Sequence, residues 1–482
     1  MRSLHSSGEV PGQKSAEREL TGHKSLTEGL VDLCESNICA QDIACAATLL
    51  YDWTGVAVAG AVTAPAQPVL NLARSQYAGG RCTSVGVGRT GPEQAAFVNG
   101  TFGTLLEMDD LHRSSILHAG DVVIPAALAA AQHAQVNSTT LLEAIVVGYE
   151  VALRIGQSAA TGGYSGWYNS STCGVFGASM AAAHALGLTA QQKVHALGQA
   201  GMQASGLWQC RLEPTDSKCL ATAQSARAGV TAALLSDGGL RGARQILEGE
   251  LGFFRSFYPG ANPETVLDPY GAAWKVHEVS LKPWPACRHI HPVIGIALEM
   301  REDLDLSTIN QIIVQSYEAG RNFCDMPDPA TAHEARFSFQ HCVAVTLLQG
   351  EPVLGDFDAV ALANPVIVAL RAKILVQDDA DLTAAFPCKM GAAMIVTFND
   401  GTTRSMSAEN APGDPELPMS AAAICAKFHR NLQAAGVSVD LADHLGAAVL
   451  DLGSTTSLRK LEQYLDDVSA TISNSQTKEV LQ

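Results

Sequence analysis

The stretch Glu107–His118, EMDDLHRSSILH, packs three acids, two histidines and an arginine between the apolar segments AAFVNGTFGTLL and VVIPAALAAAQHA. Carboxylates beside imidazoles are the material of acid–base chemistry, because a carboxylate can orient a histidine and hold its proton. If the preceding helix continues, Asp109 and His112 share one face at i, i+3. The plain alternative is a charged helix end in a solvated loop. Asp109, His112 and His118 are also metal-ligand types, so a metal hydrolase is one reading. HEXXH and the other familiar ligand spacings are missing, and no metal is expected.

Four further segments carry candidates. In GWYNSSTCGVFGASMAA (Gly166 to Ala182) hydroxyls and glycine precede an Ala-rich helix whose free N–H groups could receive a carboxylate. Ser170 and Ser171 lack the G-x-S-x-G setting of a nucleophile. Lys218, in EPTDSKCLATAQSARAGV, sits in a polar loop before a small-residue helix that also carries Arg227. It is either a surface lysine, a clamp for a carboxylate, or a proton donor with a lowered pKa. In KPWPACRHIHPVIG two prolines impose an extended path, which would put His289 and His291 on one face and Arg288 on the other. In HEARFSFQHC, Arg336 reads most simply as a structural ion-pair partner.

These groups need a scaffold, and composition says which kind. The chain has 482 residues, 47% hydrophobic and 16% charged, which fits large cores and two or three domains. A net charge of −17 argues against a nucleic-acid surface but leaves room for a local cationic cleft. Twelve cysteines without a CxxC pair fit buried thiols in a reducing compartment. No uninterrupted apolar run of bilayer length is evident, and the acids among the first 25 residues fit neither a signal nor a transit peptide. A cytoplasmic location is expected, with the mitochondrion as the alternative.

Periodicity then divides the chain. LTEGLVDLCESN, DIACAATLLYDWTGVAVAG, TLLEAIVVGYEVALRIGQ and AQQKVHALGQAGMQASGLW read as helices, capped near Thr139–Thr140 and Thr189 and ended near glycines 60, 187 and 239. INQIIVQSYEAG reads as a strand, and AAMIVTFNDGTTRSMSA as a hairpin around Asn399-Asp400-Gly401. HEARFSFQHCVAVTLLQG and NPVIVALRAKILV read as helices. The expected fold is mainly α: a large all-helical domain, discontinuous and built from residues 25–282 and 409–482, plus a smaller α+β lid domain over 283–408. Residues 1–24 are expected to be a flexible terminus.

Taken together and in this order, the segments resemble the MmgE/PrpD family of methylcitrate dehydratases, cis-aconitate decarboxylases and iminodisuccinate epimerases. AAFVNGTFGTLLEMDDLHRSSILHAGDVVIPA looks like the family's AAFVNG…[DE]-x-DD…H…P segment, and GWYNSSTCGVFGA is similar to its GWHPTSTxGVFGA. Lys218 falls at the T-K place, followed by A-R-x-G in Ala226–Gly229; PWPACRHIHP and HEARFSFQ also match. The resemblance implies a cofactor-free site between a helical domain and its lid, and a homodimer. It makes His118, Lys218 and His291 the foremost site candidates. Glu107 stands where decarboxylase relatives carry Asp, and Asp109 and Asp110 match the DD pair. Three departures stand out: Tyr168 at the usual His of GWH, Leu111 in place of a hydroxyl residue, and Ala221 and Gln224 where relatives have a histidine. These weigh against cis-aconitate decarboxylation in particular.

The expected chemistry is elimination or decarboxylation of a di- or tricarboxylic acid. His118 moves the proton, Asp109 or Glu107 orients it, and Tyr168 supplies an O–H where relatives use His. Lys218, Arg288 and His291 would grip carboxylates, with His289 and His112 beside them. An epimerase using the same α-proton abstraction and a non-catalytic carboxylate-binding homologue are the competing readings.

Overall fold

The computed structural model describes residues 24–76, 79–160, 164–213, 215–268 and 273–480. Apart from Lys24, the expected flexible terminus lies outside the described residues. The principal helices are α1 (Leu26–Leu33), α2 (Ala40–Gly60), α3 (Pro92–Phe102), α4 (Gly120–Ala134), α5 (Ser138–Ala159), α6 (Gly174–Ala185), α7 (Ala190–Gly201), α8 (Lys218–Asp237), α9 (His291–Met300), α10 (Phe339–Gln349), α11 (Ala421–Ala434), α12 (Val439–Leu450) and α13 (Arg459–Val480). The strands are β1 (Cys82–Ser84), β2 (Gly88–Thr90), β3 (Ile309–Ser316), β4 (Ile374–Asp378), β5 (Ala392–Phe398) and β6 (Thr403–Ala408). The chain is mainly α with a smaller α+β part.

Apolar side chains gather into two large cores. The first is built by α1–α8 and rejoined by α11–α13, through Phe428, Leu432, Leu445, Val468 and Ile472. Phe428 of α11 stacks on Tyr51 of α2 with ring centroids 4.1 Å apart. The second core lies between Trp284 and Val396, where α9 and α10 cover one face of a four-stranded sheet ordered β4-β3-β5-β6. Alternate residues of β3 (Ile312, Val314, Ser316) are buried, as a sheet with one covered face requires. β3 runs parallel to β4 and antiparallel to β5, with Val314 opposite Val376 and Met394.

Small residues let the helices of the first core approach closely. At Gly148 of α5 a Cβ would stand 2.5 Å from Val123 of α4 and 3.0 Å from the Gly177 carbonyl; at Gly177 of α6 it would stand 2.5 Å from the Gly148 carbonyl. Helix α2 is long and apolar enough to cross a bilayer, contrary to the first impression from the sequence. However, 78% of that window is buried in the protein, as expected of a core helix.

Several expectations need correction. The AKILV end of NPVIVALRAKILV is strand β4, because its β-branched residues pair with β3 (Ile374 opposite Ile312) after the helix stops at Arg371. The helical part also carries one two-stranded hairpin, β1–β2. Asn137, not Thr139–Thr140, caps α5, accepting from the Thr140 N–H. The segment 288–291 is not extended: Arg288–Ile290 form a 3-10 turn that runs straight into α9, rotating His289 and His291 apart.

Gly177→Val tests the close packing. Over-packing that contact is expected to cost about 1–3 kcal/mol, read as a lower Tm in thermal denaturation, whereas Gly166→Ala, which meets open space, should leave Tm unchanged.

Candidate active site

Helix α3 stops at Phe102, and the chain turns rather than continuing the helix into Asp109 and His112. Glu107 (φ 52°) and Ile116 (φ 50°) both sit in the left-handed region. For the β-branched Ile116 this costs about 1–3 kcal/mol, so the surroundings must hold the loop firmly. They do so from several sides. Leu111 exchanges two backbone hydrogen bonds with Ser280 at 2.8 and 2.9 Å, and His112 exchanges two with Leu117. Arg113 donates to both oxygens of Glu416 at 2.6 and 2.8 Å. Asn169 donates to the Ser115 carbonyl, and the His118 N–H donates to Ser170 Oγ at 3.0 Å.

The loop delivers three acids to different tasks. Glu107 accepts from the Lys218 ammonium, and its other oxygen lies 3.5 Å from Lys282 Nζ. Asp109 takes Lys282 Nζ at 2.8 Å on one oxygen, and His118 Nδ1 stands 2.8 Å from the other. That nitrogen also lies 2.7 Å from the Asp110 carbonyl, which leaves Nε2 as the ring atom free to work. Asp110 is structural: it accepts from Tyr149 Oη at 2.6 Å and from the Gly120 N–H at 3.0 Å, pinning the start of α4.

Burial opposes ionisation of Glu107 and Asp109, but the cations outweigh it. Lys218 and Lys282 hold Glu107 below the ordinary carboxylate range; His118 and Lys282 hold Asp109 well below it. Asp110, with no cation on its oxygens, is pushed up by burial to about 6, its hydrogen bonds opposing the shift. Burial would lower Lys218, yet Glu107 and other anions hold it well above the usual lysine value. Lys218 is therefore held as an ammonium beside Glu107, not as a proton donor with a lowered pKa.

Glu107, His118, Tyr168, Lys218, Arg288 and His289 all line one cleft of about 1050 Å³, its open mouth included. Tyr168 stacks flat on Trp208 (centroids 4.2 Å apart, planes 5° apart), and its hydroxyl meets no well-placed partner among the described residues. Burial pushes that phenol far above its normal range, so it can act only as an O–H. Arg288 gives Nη2 to Asp414, leaving Nε and Nη1 without acceptors among the described residues. His289 lies between the hydroxyls of Tyr164 (3.0 Å) and Tyr317. Burial, then Arg211 and Arg288, push His289 down to about 3, so it is neutral and not a cation for carboxylates.

Three candidates do not line the cleft: Asp109, which stands behind His118, and two histidines. His291 begins α9, fully buried, with Nε2 on the Ala286 carbonyl at 3.0 Å, and it does not line the cleft. Burial, then Arg288 and Lys282, hold it neutral, well below the histidine range. His112 is also buried; Ser115 Oγ at 2.8 Å and Glu278 at 3.1 Å occupy its two nitrogens. The 3-10 turn at Arg288 and the end of α3 at Phe102 are the physical reasons. The triad Asp109, His112 and His118 is thus not assembled, and among the described residues no group of three acids, histidines or cysteines is placed to hold a metal ion. On the approach to α6 the N–H groups of Ser171, Thr172, Cys173 and Phe176 already donate to the carbonyls of Tyr168, Asn169 and Cys173.

Sequence reasoning missed Lys282 and Arg211. Lys282 is wholly buried and bridges two acids. Its only sequence signal was that two acids in an apolar setting need more than one cation. Arg211 lines the cleft with its guanidinium 3.4 Å from the Phe323 ring centre and 4.7 Å from that of Tyr164, and no carboxylate pairs with it among the described residues. Arg336 has a carbonyl, that of Leu105 at 3.5 Å, where an acidic partner was expected.

A two-core helical protein with acids, lysines and an imidazole at the junction is the architecture of a lyase-type family, and the chain belongs to it. The MmgE/PrpD N-terminal domain model matches residues 26–266 and the C-terminal domain model residues 284–449. Among curated proteins, the chain is 26% identical to cis-aconitate decarboxylase of Aspergillus terreus over 445 residues, covering 87% of this chain and 90% of that protein. It is 27% identical to cis-aconitate decarboxylase of Homo sapiens (71% and 73% covered). It is 28% identical to 2-methylcitrate dehydratase of Cupriavidus necator over a shorter stretch (46% and 48%).

Lys282→Met tests the buried charge cluster. It leaves two carboxylates short of a cation, so urea denaturation at pH 7 should show a loss of about 3–5 kcal/mol. Glu107 and Asp109 have depressed folded-state values, so the stability they contribute is present above about pH 4 and is lost below it. The gap between wild type and variant should therefore narrow as the pH falls below about 4.

Proposed function

We propose that this protein is a cofactor-independent lyase that removes water or CO2 from a tricarboxylic acid, through proton transfer at His118. One observation carries the reading: in a chain of net charge −17, Lys218, Arg288 and Arg211 converge on a single cleft that also presents His118 and the Tyr168 hydroxyl. Cations so placed fit a substrate with several carboxylates. The names of the relatives, decarboxylases and dehydratases of such acids, point the same way.

In this mechanism Arg288 and Arg211 hold the carboxylates remote from the reacting carbon. His118 Nε2 takes the proton next to a carboxylate, and Asp109 and the Asp110 carbonyl fix the ring through Nδ1. Lys218 stands where negative charge grows on the activated carboxylate, and it stabilises the carbanionic transition state. Tyr168 hydrogen-bonds the leaving hydroxyl, which takes the proton from the His118 imidazolium and departs as water; in a decarboxylation no proton is abstracted first, and the protonated His118 delivers its proton to the carbon that loses CO2. Residues 283–408 act as a lid, supplying Arg288, His289, Phe323 and Met390 to the cleft. We place the protein in a reducing, cytoplasmic setting, in keeping with the free thiols of all twelve cysteines, and as a homodimer.

Incubation with a panel of polycarboxylates in deuterated water, read by mass and proton NMR, tests the reaction. Loss of water or CO2 is expected. Deuterium uptake without a change in composition would instead make the protein an epimerase, and saturable binding without turnover a carboxylate-binding homologue. His118→Gln should lower kcat about 10²–10⁴-fold with little change in substrate affinity. Arg211→Gln should raise KM about tenfold or more and leave kcat closer to wild type.

A further inference from the structure

Asp121 is an acid for which the mechanism above has no use. It lies in the first turn of α4, three residues beyond His118, and is fully buried. Neither of its oxygens receives an N–H or O–H among the described residues, and Asp109 Oδ2 likewise lacks a well-aimed donor. The two carboxyl groups are within hydrogen-bonding reach of each other. Gly103 makes room for this arrangement, since a Cβ there would stand 1.8 Å from Asp121 Oδ1 and 2.9 Å from the Trp53 indole nitrogen.

Two buried carboxylates in contact do not both ionise; a single shared proton satisfies the orphaned oxygens of both. The neighbours decide which one carries it. Asp109 faces Lys282 and His118 directly. Lys218 also favours its charge, Glu107 opposes it, and the Asp52–Lys427 pair is near enough to interact with it. Asp121 faces Asp109 and Asp110 from the loop, Trp53 from α2 and Tyr149 from α5, with Lys218 of α8 as the cation that acts on it. The proton therefore belongs on Asp121.

We propose that Asp121 is a neutral carboxylic acid that donates its O–H to Asp109 and thereby sets the proton affinity of His118. Burial, reinforced by Asp109 and Asp110, pushes Asp121 well above the carboxylate range against the opposing pull of Lys218. A hydrogen bond received from Asp121 draws charge away from the oxygen that faces His118. Asp109 then attracts the imidazolium less, and the ring releases its proton more readily. Asp121 acts through Asp109 and touches no substrate, so it is a positioning residue.

Two measurements, neither requiring substrate, test this. The infrared difference spectrum of wild type minus Asp121→Asn at neutral pH should show the C=O stretch of a protonated carboxylic acid. The His118 imidazole titration is followed by NMR on histidine-labelled protein and assigned with His118→Gln. Asp121→Asn, which keeps a neutral donor, should leave that titration in place. Asp121→Leu removes the donor and should raise it by about one unit, a tenfold change in the protonation ratio. An ionised Asp121 predicts the opposite sign, because both variants would delete a negative charge and lower the His118 titration. That downward shift in Asp121→Asn, or a missing acid band, overturns the proposal, and Asp121→Asn decides it alone if Asp121→Leu does not fold. Because neither measurement involves catalysis, a failure of the lyase reading leaves this test intact.

Discussion

The rest of the structure depends on the requirement that carboxylates taken out of water be matched by cations. Glu107 and Asp109 are buried on a loop between α3 and α4, and the lysines that match them come from far along the chain, Lys218 at the start of α8 and Lys282 just before the second core begins. Each pair in isolation would contribute little, since desolvation takes back much of the Coulomb energy. As a group they demand a unique arrangement. Alanine and glycine let the helices approach closely, and any shift that separated Lys282 from its acids would strand buried charge.

The same electrostatics distributes labour among residues that look alike in sequence. Adjacent acids Asp109 and Asp110 differ because one meets Lys282 and the other meets a tyrosine hydroxyl and a backbone N–H. His289 and His291 differ because a 3-10 turn separates them, turning one into the cleft and the other into the protein. Tyr168, at the family's histidine position, keeps a hydrogen-bond donor but is held as a neutral phenol far from titration at working pH.

Much of this was legible from the residues alone. The long helices, strand β3 and the Asn399-Asp400-Gly401 hairpin follow from periodicity and turn chemistry, and the mainly α fold with a smaller α+β part follows from their order. Strand β4 was read as helix because its apolar run is too short to show a period, and its pairing with β3 is a tertiary fact. Of the site candidates, Glu107, His118, Tyr168, Lys218, Arg288 and His289 meet at one cleft, with Asp109 behind His118. His112 and His291 do not, since local geometry over a few residues decides where a side chain points, and spacing cannot resolve a 3-10 turn from an extended strap. Lys282 and Arg211 stayed hidden because their meaning lies in what they face.

The chain leaves the helical part at Lys282 and returns near Asp414, and these two points are fastened to each other. The Leu281 N–H donates to the Gly413 carbonyl at 2.9 Å, Ser280 donates to Asp414 at 2.6 Å, and Arg288 closes on the same carboxylate. Gly413, at φ 94° and with no room for a Cβ against the Leu281 carbonyl, makes the join possible. Further contacts cross the same boundary: Arg336 donates to the Leu105 carbonyl, and Leu111 packs with Tyr317 and Met390. Phe323, beneath the Arg211 guanidinium, and Met390, beside Leu111, both come from the stretch between the two fastened points. A side chain at Gly413 would disturb the join that holds Arg288 at the cleft.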